Sequence, residues 1–160
     1  MPRIARLFAV SVFSTIALNA ADSLSIDFTQ PQSLKEWTPL NQMKALEHSS
    51  EGMRFDVGGS DPYFSSPALG IPAGAPLFMK IKLKASFSGE WQIFYFQKHA
   101  RESDSVRVTI QGGGWREIRI PLQPLPENAR LRIDPPGGVS GVATIARITF
   151  ETRVEPKARQ

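Results

Sequence analysis

The chain has 160 residues, no cysteine, thirteen prolines, twelve glycines and a formal net charge of +4. Without cysteine a disulfide scaffold is excluded, so any folded domain is held by its apolar core. Arg3 and Arg6 supply two of the positive charges, which leaves +2 for the chain beyond its leading segment and no argument for a nucleic-acid partner.

Residues 1–21 read as an export signal. Arg3 and Arg6 form a positive start, residues 7–18 an apolar stretch, and Leu18-Asn19-Ala20 a small-residue cleavage site, with release expected after Ala20 or Ala21. The apolar stretch is short for a bilayer and no second one follows, so no membrane span is expected after the signal is removed. The remainder is expected in the periplasm or outside a bacterial cell: one domain over 22–152, then a polar tail over 153–160.

Residues 24–28 alternate as a short first strand, and 33–37 suit one helical turn. Residues 43–47 and 53–57 read as strands joined by a turn at 48–52, and 63–65 as a brief extended piece. Three prolines and two glycines make 66–76 a loop. From Leu77 to Ala85 the alternation is strict, with Phe78, Lys80, Lys82 and Lys84 on one face. A turn at Phe87-Ser88-Gly89 leads into Trp91-Gln92-Ile93-Phe94-Tyr95-Phe96, apolar on nearly both faces, as in a central strand. The two strands together predict a hairpin.

Residues 98–104 read as a loop or short helical turn, and 105–110 as a strand with Val106, Val108 and Ile110 inward. Gln111-Gly112-Gly113-Gly114 reads as a second hairpin turn into 115–122, a strand with Arg116, Ile118, Ile120 and Leu122 on one face. Residues 129–133 bury Leu131 and Ile133, and 142–152 form the last strand. Short strands at regular spacing, with proline and glycine confined to the connections, predict an all-β fold: an antiparallel two-sheet β-sandwich.

Five short motifs stand in a particular order. They are Asp61-Pro62-Tyr63-Phe64 with Ser66-Pro67-Ala68-Leu69, then Gln92-Ile93-Phe94-Tyr95, Gly114-Trp115, Leu131-Arg132-Ile133-Asp134-Pro135, and a closing strand over 145–150. This series resembles bacterial jelly rolls of the galactose-binding-domain-like, carbohydrate-binding-module-like type, over residues 24–152. The resemblance implies a jelly roll and a carbohydrate ligand, and its Gly-Trp motif implies that Trp115 packs into the core or anchors a loop.

Chemistry for catalysis is sparse. The chain has no Gly-x-Ser-x-Gly elbow, no His-Glu-x-x-His pair and no Gly-Lys-[Ser/Thr] loop. His48 and His99 lie in turns without ligand spacing. No spacing selects an acid pair from Asp56, Asp61, Glu90, Glu102, Asp104 and Asp134. No cofactor is expected, although related jelly rolls carry a structural calcium to which Glu51, Asp56 and Asp61 could contribute; an aspartate-ordered turn is the alternative.

Phenylalanine lacks a polar tip and belongs in a dry core. On that reasoning Phe94 and Phe96 point inward, and Trp91 and Tyr95 face outward as a platform for sugar rings. The other reading has Trp91 and Tyr95 capping the core beneath loops. Arg107, Arg130 and Arg132 would complete a basic, aromatic groove for an acidic glycan if their strands are neighbours. The expected function is therefore an exported, non-catalytic carbohydrate-binding module. An envelope protein-interaction domain is the alternative, and a small hydrolase is a third reading.

Overall fold

The computed structural model describes residues 23–153, so the expected signal over 1–21 and tail residues 154–160 lie outside the described residues. Eleven strands follow in order: β1 (Ser23–Asp27), β2 (Thr38–Pro39), β3 (Leu46–Ser49), β4 (Gly52–Val57), β5 (Phe64–Ser65), β6 (Leu77–Ala85), β7 (Gly89–Phe96), β8 (Ser105–Ile110), β9 (Gly113–Leu122), β10 (Arg130–Asp134) and β11 (Gly141–Thr152). Two single 3-10 turns, Pro31–Leu34 and Glu102–Asp104, stand where short helical turns are expected. Among the described residues no helix is long and apolar enough to cross a membrane.

The strands form two antiparallel sheets. One has the order β3-β4-β11-β6-β9, with β1 also on β11; the other has the order β2-β5-β10-β7-β8. The long β11 is shared along one edge: β4 takes 141–145 and β1 takes 147–151, with a register shift at Ala146. This is the predicted jelly-roll sandwich, with its core between the sheets.

The two predicted hairpins, β6 with β7 and β8 with β9, do not form. β6 pairs with β11 and β9, whereas β7 pairs with β10 and β8, so 86–88 carries the chain from one sheet to the other. The glycine run after β8 does the same in reverse. Phe87 explains why the first connection crosses: its ring is buried and stacks against Trp91 at 6.0 Å, which draws the turn over the end of the core. By contrast β3 and β4 form the expected hairpin. Gly52 opens β4 at φ +136°, and a side chain there would collide with the Ile145 carbonyl of β11, so the position admits only glycine.

A line of aromatic rings runs through the core. Phe28 meets Trp37 edge-on at 5.1 Å, Trp37 meets Phe64 at 6.1 Å, Phe64 meets Phe55 at 4.9 Å and Phe55 meets Trp91 at 6.2 Å. Each such contact adds about 0.5–1.5 kcal/mol beyond the area it buries. Leu77, Met79, Ile81 and Leu83 of β6, and Ile148 and Phe150 of β11, fill the other side. Strict alternation along β6 thus becomes a dry face and a lysine face.

Trp115 is not in the core. It is 39% exposed, on a register shift of β9 opposite β6, with the Lys84 amine 4.9 Å from its ring. The carboxylates weighed for calcium are separately engaged: Glu51 by Lys84, Asp56 by Arg54 and Asp61 by Asn41. Among the described residues, no three His, Cys, Asp or Glu side chains gather as a metal site.

Candidate functional site

Register decides which way each side chain of the five-stranded sheet points. Trp91 lies opposite Val108, Ile93 lies between Val106 and Ile133, and Tyr95 lies opposite Leu131, all on the core side. Gln92 lies between Arg107 and Asp134, Phe94 between Ser105 and Arg132, and Phe96 opposite Arg130, all on the outer side. The predicted orientation of β7 is therefore reversed. Trp91 is 2% exposed and packs between Phe55 and Phe87. Tyr95 is half-buried against the core, and burial pushes its phenol above the ordinary value, with Asp104 adding to the effect. The outward platform of Trp91 and Tyr95 does not exist.

The cause is legible after the fact. Glu90 and Gln92 share a face with Phe94 and Phe96, whereas Trp91, Ile93 and Tyr95 share a wholly apolar one. Sending Trp91, Ile93 and Tyr95 inward leaves Glu90 in water and gives Gln92 polar partners. The Gln92 amide donates to Glu102 Oε2 at 2.8 Å and to Ser105 Oγ at 2.9 Å.

The arginines do share a surface. Because β10, β7 and β8 are consecutive in the sheet, Arg107, Arg130 and Arg132 all rise from its outer face. Arg132 is the most constrained. Its Nε and Nη2 donate to the two oxygens of Asp134 at 2.8 and 2.6 Å, a bidentate clamp between residues two apart on one strand. The guanidinium lies 3.7 Å from the Tyr63 ring centre and 4.8 Å from that of Phe94. Burial pushes the Asp134 carboxyl above its ordinary value, and the Arg132 contact opposes that rise. Arg107 donates to Glu90 at 2.9 Å and to Glu102 at 3.4 Å. Arg130 is exposed, and among the described residues it makes no ion pair.

Tyr63, Gln92, Phe94, Phe96 and Glu102 are the residues of this surface that sequence reasoning did not assign to it. Tyr63 stood in a motif, but its place over Arg132 depends on β5 lying beside β10.

A cleft of about 380 Å³ opens where β7 ends. It is lined by Tyr95 and Phe96, by the connection 97–104 and by Pro124 and Pro126 between β9 and β10. Gln97 Nε2 donates to the Glu127 carbonyl at 2.8 Å and ties the two connections together.

No protein-family model and no curated protein matches this chain. Solved structures do match in fold. A xylan-binding module of family 15 superposes with a TM-score of 0.63 at 13% identity, over 86% of this chain and 100% of that one. A variant of a family 29 carbohydrate-binding module gives 0.60 at 17%, over 85% and 99%. The C-terminal family 6 module of a marine laminarinase from Zobellia galactanivorans gives 0.58 at 14%, over 82% and 100%. At such identities the likeness is one of fold: the β-sandwich of carbohydrate-binding modules, matched along the full length of each.

Proposed function

We propose that this domain is an exported, non-catalytic carbohydrate-binding module, and that polysaccharide or envelope glycan lies along the outer face of the five-stranded sheet. The observation that carries this reading is the convergence of Arg107, Arg130 and Arg132 on one face, with Tyr63 and Phe96 among them. Aromatic rings take the C–H faces of sugars, and guanidinium groups fix their hydroxyl or acidic substituents. The fold shared with solved carbohydrate-binding modules supports the ligand class, and the signal-like start supports export. A non-catalytic role is supported by the acids of this face, since Glu90, Glu102 and Asp134 are each held by Arg107, Gln92 or Arg132. The preorganised Arg132 needs no reordering to meet a ligand, which lowers the entropic cost of binding.

Exposed Trp115 favours a second reading, in which the opposite sheet contacts another envelope protein.

Calorimetric titration of the signal-free protein with neutral and acidic polysaccharides tests the proposal. Replacing Arg107 and Arg130 together by alanine should weaken binding by about tenfold or more, with melting unchanged. Absence of binding across the panel would overturn the reading in favour of the protein-contact one.

A further inference from the structure

The charges of the sheet face and of the end cleft are balanced differently. On the face, Arg107 is matched by Glu90 and Glu102, and Arg132 by Asp134, which leaves Arg130 as the arginine without an acid. In the cleft, Lys98 and Arg101 accompany His99, and the acid among the lining residues is Asp104. Lys98 and Arg101 are exposed, and neither forms an ion pair among the described residues. The concave part of this surface therefore sets two cations, Lys98 and Arg101, against one acid, Asp104, beside the rings of Tyr95 and Phe96.

The cleft is built to hold a shape. Phe96 and Tyr95 are half-buried at the end of a central strand, and Pro124 and Pro126 restrict the facing connection. The Gln97–Glu127 hydrogen bond closes one end, while Leu125 and Ala129, both buried, anchor the connection to 69–74 through backbone bonds of 2.9–3.0 Å. Its volume of about 380 Å³ is at the lower end of ordinary small-ligand clefts, roughly 300–1,000 Å³. That size suits one or two sugar rings, not a long internal stretch of polymer.

We propose that this end cleft binds an anionic sugar unit, one bearing a carboxylate or a sulfate, with the ring on Phe96 and its acidic group between Lys98 and Arg101. The inference rests on the carbohydrate-binding reading and places acid recognition in the cleft, not on the arginine face. Arg130, opposite Phe96 on β10, lies where the cleft meets that face, so one glycan can extend from the cleft along the sheet. A planar guanidinium and an ammonium, both carried by the connection after β7, match a carboxylate or sulfate of either source.

The test uses the signal-free protein titrated with polygalacturonate, dextran sulfate and neutral xylan, at low and at physiological salt. Two variants address the cleft: Lys98→Gln with Arg101→Gln, and Phe96→Ala. A third, Lys35→Gln with Lys44→Gln, removes two exposed lysines that do not line the cleft and controls for general polyanion attraction. The cleft double variant should lose about tenfold or more for at least one anionic polymer. It should keep the wild-type affinity for the neutral polymer. Phe96→Ala should weaken the same anionic polymer at physiological salt, a loss that charge attraction alone does not produce. Which of the two polymers responds identifies carboxylate or sulfate. Equal losses in the control and the cleft double variant would overturn the proposal, as would anionic binding indifferent to Phe96 in a protein that melts normally. Binding of neutral polymer alone would overturn it while leaving the carbohydrate-binding reading intact. No binding of any polymer would remove both.

Discussion

Replacing Trp91 by alanine separates the two orientations of the central strand in one experiment. The indole is 2% exposed, stacked on Phe87 with an interplanar angle of 10° and set edge-on to Phe55 at 70°. Truncating a buried aromatic side chain to alanine costs about 3–5 kcal/mol, because the transfer energy is lost and the cavity collapses only partly. The indole Nε1 is buried and finds no hydrogen-bond partner among the described residues, so its removal returns part of that cost. A net loss of about 3–4 kcal/mol remains, and at roughly 4 °C per kcal/mol for a domain of this size the melting temperature should fall by roughly 12–16 °C. Trp91→Phe keeps most of the volume and drops the unpartnered N–H, so it should lose less than half as much. Trp115→Ala is the internal control: its partly exposed ring, with Lys84 over it, should cost only about 1 kcal/mol. Thermal melts followed by circular dichroism, run beside glycan titrations, give both quantities. Near-normal melting of Trp91→Ala with lost binding would refute the inward orientation and restore the outward platform.

Two further outcomes follow from the ionic contacts. Arg132→Ala removes the clamp on Asp134 and the cation between Tyr63 and Phe94, with side-chain exposures of 25% and 13% for the arginine and the aspartate. Discounted for that partial solvation, the loss should be about 2 kcal/mol. With the Asp134 value raised in the folded state, the fold binds more protons than the unfolded chain over the window above the ordinary aspartate value. Its contribution to stability therefore falls as pH rises through that window. Urea melts of Arg132→Ala between pH 4 and about 7 should show a steeper fall than the wild type; parallel curves would refute the coupling. Asp27 has the opposite sign. Hydrogen bonds from the Thr29 hydroxyl and amide hold its carboxyl below the ordinary value, with Arg147 assisting, so its contribution is present above the unfolded value and is lost as pH falls through the folded one. Asp27→Asn should flatten the acid limb of the stability curve, and an unchanged limb would assign it to other carboxylates.

Alternation and punctuation sufficed to place nearly every strand of the sandwich. The apolar positions of β6, β8 and β9 recur every second residue, as do those of β11 on either side of its shift at Ala146, and proline or glycine interrupts the chain between strands. Those signals are local, because a pleat and a turn are properties of a few consecutive residues. Three features are not local, and only the tertiary structure decided them. A three-residue connection permits either a hairpin or a step to the other sheet, and the buried Phe87 with the pairing of β6 to β9 and β11 selects the step. The faces of β7 differ locally only by Glu90 and Gln92, a weak signal; the strand is oriented by Val106, Val108 and Leu131 on one side and by Arg107, Arg132 and Asp134 on the other. The meeting of Arg107, Arg130 and Arg132 with Tyr63 and Phe94 required the order β5-β10-β7-β8, which brings Tyr63 and Arg132 together from distant parts of the chain. Chain composition determines that arginines lie on wet faces, because a charged group left in water avoids the cost of desolvation. Which wet faces become one surface is decided by strand order, since the backbone hydrogen bonds that set that order are the same for every sequence.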